Sequence, residues 1–311
     1  MRRFFPTFHS DAIRFTTLSK TEMDFRAKQA SGIIERESEN DKLAVLVIAG
    51  GSPVRAYAIE NDIAVSTQIF EFLNLKTGAT YQAAALPDTA ARLVWLALES
   101  VRERDFSISE SAGWAQFLDG LRTNQWTGII EILNSTLSGF MVFKTGHSMP
   151  SDSVFHTSDG FTNRFEHLSA KLNFPALIRQ YEISPRSNAY QCFLLRNSMV
   201  HWSSILLPRC QEIIGTRMLT VIERDINQSI HPWKWQLRLG DQVLADEHFF
   251  PGIQEAAAAY RAILLGMGTQ LNFFVGKTIA QRIFNETFEL LAPDEKEALI
   301  NQRLIPAAFT V

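Results

Sequence analysis

Cysteine is nearly missing from this chain: Cys192 and Cys210 are the only two in 311 residues. So small and unpatterned a set excludes a disulfide framework and a thiolate metal site. Cys192 stands among apolar neighbours, Phe193-Leu194-Leu195, and reads as a small buried residue; both thiols are expected to be free, in a reducing compartment. An excess of one charge is missing too. With 30 basic and 33 acidic residues the formal net charge is −3, and no block of like charges forms a phosphate-seeking stripe, so nucleic acid is not expected as a partner. Long apolar runs are absent as well: stretches such as Leu43 to Ala49 fall far short of the roughly 20 residues that cross a bilayer, and no membrane partner is expected. Met1-Arg2-Arg3-Phe4-Phe5-Pro6 starts like an export signal, but Thr7, His9, Ser10 and Asp11 interrupt any apolar core. No signal peptide and a cytoplasmic location are therefore expected.

What is present is an ordinary globular composition, 46% apolar and 20% charged, in a chain longer than one hydrophobic core usually grows. Two or three domains are expected. An internal repeat divides the first half: Ser31-Gly32-Ile33-Ile34-Glu35 recurs as Thr127-Gly128-Ile129-Ile130-Glu131, offset by 128 − 32 = 96 positions. Further on, Leu43 to Gly51 matches Ser138 to Gly146, offset by 146 − 51 = 95. Each copy reads as a strand, a polar turn (Glu37 to Asp41, or Asn134 to Thr136), a second apolar strand and a glycine turn, which is an antiparallel meander.

In the first copy Val54 to Ile59 alternates as a third strand, Ile63 to Leu75 reads as a helix with Ile69, Phe72 and Leu73 buried, and an extended segment restarts at Gly78. Pro87-Asp88 opens a second helix carrying Leu93, Val94, Leu96, Ala97 and Val101. The second copy looks less complete, because Met149 to Gly160 is polar where the first copy stays apolar. The small-residue-plus-Gly openings (Ser31-Gly32, Thr127-Gly128), the strands running to Gly51 and Gly146, and the restart at Gly78 resemble the PATAN-type domains of bacterial signalling proteins. That resemblance covers the first half only; it implies protein–protein adaptor work and no catalytic residues. A roadblock-like regulator of small GTPases is the second resemblance.

From Pro175 the pattern turns helical. Phe174, Leu177, Ile178 and Tyr181 recur at helical spacing, and Tyr190 to Leu207 and Ile213 to Ile226 read as further helices, with Pro185 and Pro208 as punctuation. A hairpin interrupts them, with Trp233, Trp235, Leu237 and Leu239 on one strand face and a Gly240-Asp241 turn. Beyond Pro251, Tyr260, Leu264, Met267, Leu271 and Phe274 step along one helical seam, in which Gly266, Gly268 and Gly276 mark a bend or a close crossing. Pro293-Asp294 begins a last helix, with Glu295 near the positive end of its dipole. The expected fold is α+β: two related meander-and-helix modules, residues 1–110 and 111–174, then a mostly helical module, 175–311.

Candidate sites are few. Gly276-Lys277-Thr278 ends like a P-loop, but Leu271 stands where the first glycine belongs, inside a helical pattern whose amides are already bonded. Gly50-Gly51 follows a strand yet lacks the other glycines of a dinucleotide loop, so a hairpin turn explains it. The densest set of catalytic residue types lies between His147 and His156, where His147, Asp152, Ser153 and His156 would have to converge for nucleophilic chemistry; an exposed polar loop is the plainer reading. His147 with His156, and His248 beside Asp246 and Glu247, lack regular metal-ligand spacing, so no metal is expected. Trp233 and Trp235 offer an aromatic platform for a small ligand, against the simpler reading of a half-buried strand.

These features favour a bacterial cytoplasmic non-enzyme, a signalling adaptor or scaffold with a protein partner and no cofactor, whose C-terminal helices are available for self-association as a homodimer. The alternatives are a hydrolase using the His147–His156 segment, or a small-ligand sensor.

Overall fold

The computed structural model describes residues 13–15, 24–37, 43–61, 63–74, 79–163 and 172–309. The initial segment, the turn at 38–42 and the Gly78 restart lie outside them. The chain is α+β, with antiparallel sheets in the N-terminal half and helices dominating the C-terminal part. It forms two compact units, Met1–Ser187 and Asn188–Val311.

The first unit opens with β1 (Ile13–Phe15), a helical turn at residues 24–28, β2 (Ser31–Glu37), β3 (Leu43–Ala49), β4 (Ser52–Glu60) and β5 (Ile63–Thr67). Next come α1 (Ile69–Leu73), β6 (Thr80–Leu86) and α2 (Asp88–Leu98). β7 (Val101–Ile108), α3 (Ser111–Thr123), β8 (Gly128–Leu133), β9 (Leu137–Lys144), β10 (His147–Thr157), β11 (Gly160–Thr162) and β12 (Ala176–Glu182) complete it.

The strands make two sheets of identical topology. Among the described residues the first has the order β1-β6-β2-β3-β4-β5 and the second, read from its other end, β7-β12-β8-β9-β10-β11. Every strand of one copy thus has a counterpart in the other, and the duplication extends well past the meander legible in sequence. Its second copy takes in β7, before residue 111, and β12, after residue 174. The run Met149 to Gly160, expected as a loop, is the counterpart of β4 and β5 and completes the repeat.

Matching local devices hold the two copies. Gln29 and Gln125 both take a left-handed backbone, φ 49°. The Ala30 N–H then donates to the Phe25 carbonyl and the Trp126 N–H to the Leu121 carbonyl, each at 3.0 Å. The glycine turn after β3 and β9 docks on this corner: the Gly51 N–H reaches the Ala30 carbonyl at 2.8 Å, and the Gly146 N–H the Trp126 carbonyl at 2.7 Å. Beside it the Ser31 hydroxyl accepts from the Gly50 N–H at 3.0 Å and the Thr127 hydroxyl from the Thr145 N–H at 2.9 Å. The small hydroxyl residue ahead of each Gly-Ile-Ile-Glu therefore satisfies a turn amide that would otherwise lack a protein partner.

β3, Leu-Ala-Val-Leu-Val-Ile-Ala, is buried along its whole length because both its faces are covered. Ala44, Leu46 and Ile48 pack with Phe25 and Phe72, and α2 lies against β2 and β3. Nearly all of α2 is buried, since it also touches β7 and β10 of the second sheet. On the second sheet Ile130, Ile132, Met141, Phe143 and Ile178 form a core with Leu121 of α3, against which Trp114 and Phe117 of the same helix pack.

Two readings from spacing are corrected here. The segment around Leu177 and Tyr181 is a strand, β12, paired with β8 on one side and β7 on the other. Its apolar residues fit both a helical and an alternating period, and two flanking strands that need a partner decide between them. Of the helix expected over Ile63 to Leu75, residues 63–67 are likewise a strand, β5, and the helical part is the five-residue α1; Leu75 lies outside the described residues.

The second unit consists of α4 (Asn188–Ile214), α5 (Thr216–Ile230), a 3-10 turn at His231–Trp233, the hairpin β13 (Leu237–Gly240) and β14 (Val243–Asp246), then α6 (Ile253–Val275), α7 (Lys277–Glu289) and α8 (Pro293–Asn301). Tyr260, Leu264, Met267 and Leu271 are buried as their spacing predicts, in a core with Trp202, Leu206, Phe284 and Leu299, whereas Phe274, the last residue of the expected seam, is exposed. Pro208 does not punctuate; it lies inside α4, flanked by buried Leu206, Leu207 and Cys210. Gly268 marks a close approach, since a Cβ there would sit 1.8 Å from the Phe309 carbonyl oxygen. Gly276, φ 80°, ends α6 and starts α7. At α8 the Glu295 carboxylate reaches back to accept the Ala292 N–H at 3.0 Å.

Candidate functional site

The four residues of the hydrolase reading all lie on β10, and the strand does not bring them together. His147 pairs with Lys144 at one end, and His156 with Ser138 near the other, nine positions along (156 − 147 = 9). Because β10 bulges between Ser148 and Ser153, their partners on β9 are 144 − 138 = 6 positions apart, which at about 3.3 Å per residue keeps the two histidines roughly 20 Å from each other. Asp152 and Ser153 are buried within the strand, and the Ser153 hydroxyl donates to the Met149 carbonyl at 3.0 Å. The His156 ring packs on Phe161, 4.7 Å between centroids. This segment is a strand rather than the exposed loop expected: residues 147–148 and 153–157 pair with β9, with a bulge between Ser148 and Ser153.

The polar residues that the fold does bring together went unnoticed in the sequence. Glu35 and Glu131 occupy equivalent places in the two copies, and both are fully buried. In the first sheet, cross-strand register aligns Gln82, Glu35, Val45 and Tyr57 in one row. Directly paired residues share a face. The Tyr57 hydroxyl donates to Glu99 at 2.8 Å and accepts from the Trp95 indole at 2.9 Å, so this row faces α2 and its C-terminal end. Burial, then the Glu99 charge, pushes the Tyr57 hydroxyl well above its ordinary range.

In the second sheet the matching row is Asp105, Arg179, Glu131, Phe140 and Val154. Here Arg179 replaces the neutral Gln82, and its guanidinium meets the Glu131 carboxylate at 3.2 Å. The Tyr181 hydroxyl donates to the same carboxylate oxygen at 3.0 Å. Asp105 lies 3.6 Å from Arg179 and also binds Arg102. Burial, the largest single influence, lowers the Arg179 pKa, but the charges of Glu131 and Tyr181 and the hydrogen bond to Glu131 together outweigh it and the net direction is upward. Burial, reinforced by Glu131, raises Tyr181 well above the usual phenol range. The arrangement locks β7, β12 and β8 together; a glutamate repeated within two apolar strand motifs was the signal that pointed to it.

In the second unit Trp233 and Trp235 stack, 5.3 Å apart and 11° from parallel, and Trp235 leans edge-on against Phe250 at 6.4 Å. They precede the strand rather than alternating within it, because the 3-10 turn at His231–Trp233 and the left-handed Lys234 hold them before β13 begins. Trp233 is 66% exposed, so one indole face meets solvent. An open groove of about 450 Å³ lies nearby between α5 and β13, lined by Glu223, Asn227, His231 and Leu239 among others. The Asn227 amide bonds both backbone groups of Leu239, at 2.8 and 2.9 Å, which fixes the groove's floor. Asp246 binds the Tyr260 hydroxyl at 2.5 Å and accepts the His248 N–H at 3.0 Å. Among the described residues no group of three metal-ligating side chains converges.

The most conspicuous exposed feature of this unit is apolar. Phe273, 81% exposed, and Phe274 meet edge-to-face at 5.1 Å at the end of α6, and Ile279 is exposed just beyond the Gly276 break in α7. Among the described residues no helix is long and apolar enough to cross a membrane. No family model matches the chain, and neither a curated protein nor a solved structure is significantly similar to it.

Proposed function

We propose that this chain is a non-enzymatic adaptor or scaffold that works through protein–protein contacts in the bacterial cytoplasm, in signalling. The observation that carries the reading is the apolar corner Phe273-Phe274-Val275-Gly276-Lys277-Thr278-Ile279, where two helices end in exposed aromatic and aliphatic side chains beside Lys277. Isolated exposed apolar residues need no explanation, but a cluster with polar surroundings marks a contact surface. Aromatic anchors of this kind dominate the energetics of protein interfaces. The PATAN-type resemblance of the first half points the same way.

The test is a pull-down from bacterial lysate with the intact chain, beside the same chain carrying Phe273→Glu. A stoichiometric protein retained by the parent and lost by the variant, with the melting temperature unchanged, is the expected result. Capture that ignores the substitution, or a co-purifying metabolite with no protein, would overturn it. Deletion from residue 175 is unsuitable as a control, since it removes β12 from the interior of the second sheet.

A further inference from the structure

Among the described residues the two sheets end in four edge strands, which differ in how well they could template another strand. β1 and β11 are three residues each, and β7 carries Arg102, Glu103, Arg104 and Asp105 in succession. Short length and charge are the usual means by which proteins keep sheet edges from pairing. β5 has neither. It is five residues, Ile-Ala-Val-Ser-Thr, with no charge and no proline, and among the described residues only β4 pairs with it. Ile63 is 57% and Val65 45% exposed. Register puts Ile63, Val65 and Thr67 on the face of Ala56, the one that α1 covers, and Phe70 of α1 is 60% exposed. Among the described residues, an unpaired backbone edge thus adjoins an apolar surface.

We propose that β5 is where two copies of this chain associate, pairing antiparallel about a two-fold axis through Val65 and joining their six-stranded sheets into one. Such an edge selects an extended, uncharged strand with apolar side chains at alternate positions. β5 itself has that character. In the symmetric register Val65 faces its own counterpart, Ile63 faces Thr67 of the second copy, and Ala64 faces Ser66 of the second copy. Among the β4 and β5 residues of these rows the only charge is Glu60, which pairs with Ile63 and whose row continues into Thr67 and Ala56 of the second copy. No like charges are opposed, and the closed symmetry uses up both edges. A contact of five residues and one aromatic per copy falls short of the roughly 1,000 Å² that a stable specific interface clears, so the dimer dissociates on dilution.

Sedimentation velocity of the full chain from low to high micromolar concentration should show a reversible monomer–dimer equilibrium. Val65→Lys, at a solvent-exposed position, should weaken it at least tenfold without changing the circular dichroism. Mild oxidation of the Val65→Cys variant should give a covalent dimer, because the two positions lie opposite each other and both native cysteines are buried. Glu103→Cys on the charged β7 edge should not. A chain that stays monomeric throughout overturns the proposal and leaves the edge for a strand from another protein. A dimer indifferent to Val65→Lys and uncrosslinked through Val65→Cys also overturns it, and places self-association elsewhere, such as the C-terminal helices.

Discussion

Gln29 and Gln125 stand 125 − 29 = 96 residues apart and share a left-handed backbone at φ 49°, each placing the next residue's amide on the carbonyl five positions before that amide. The two corners seat the glycine turns at Gly51 and Gly146. A Cβ at Gly146 would lie 2.5 Å from Arg122 Cα, and one at Gly51 would lie 2.8 Å from Arg26 Cα. Alanine at either glycine should therefore destabilise the first unit by roughly 2–4 kcal/mol. Glycine at Gln29 or Gln125 should stabilise it by about 0.5–1 kcal/mol through relief of left-handed strain. Calorimetry of the four variants measures both directions.

The Arg179–Glu131 pair is buried, with 13% and 0% of the side chains exposed. Arg179→Met strands the carboxylate among β8, β12 and Phe140, and should cost about 3–5 kcal/mol. Glu131→Leu combined with Arg179→Met should recover most of that loss, because the apolar pair leaves no uncompensated charge. Denaturant unfolding of the parent, single and double variants decides it. A double variant as weak as the single would mean that the pair contributes net stability.

Cys210 is fully buried, and burial pushes its thiol up to about 12. A thiol so held is neither ionised nor reachable near neutral pH. In a Cys192→Ser background the native protein should leave Ellman's reagent unreacted over minutes, and should titrate one thiol after addition of guanidinium. Rapid native reaction would show that α4 opens.

Burial, then the charge of Asp241, raises the Glu223 carboxyl above its ordinary value of 4.5, against the opposing bond from the Gln242 backbone. The folded state then holds its proton to higher pH than the unfolded chain, so stability falls as pH rises from the unfolded value through the folded one. Glu223→Gln, which resembles the protonated form, should melt higher than the parent near pH 7. It should match the parent near about pH 3.5, where the group is protonated in both states. Melting temperatures at the two pH values test the sign.

Much of this fold was written locally. The offset copies of Gly-Ile-Ile-Glu, the hydroxyl residue ahead of each, and the glycines at 51 and 146 carried the duplication, because each encodes a backbone turn that depends on few neighbours. The seam from Tyr260 to Leu271 was equally plain, since a 3.6-residue period needs only its own helix to declare it. The failure of Gly276-Lys277-Thr278 as a phosphate loop was also legible, from spacing alone.

Only tertiary structure decided the rest. The apolar residues of Ala176–Glu182 fit two periods, and the strand wins because β8 and β7, distant in sequence, both need its hydrogen bonds. The polar letters of His147–Thr157 suggest a loop; in the fold the segment pairs with β9 on either side of a bulge, Asp152 and Ser153 are buried, and His147 and His156 stand near opposite ends. Glu35 and Glu131 look alike in sequence, yet one shares its row with Gln82 and the other with Arg179, a difference that register alone determines. Dihedral preference and hydrophobic period act over a few residues and are readable there. Which strand lies beside which, and which charge meets which, depends on segments brought together from far along the chain.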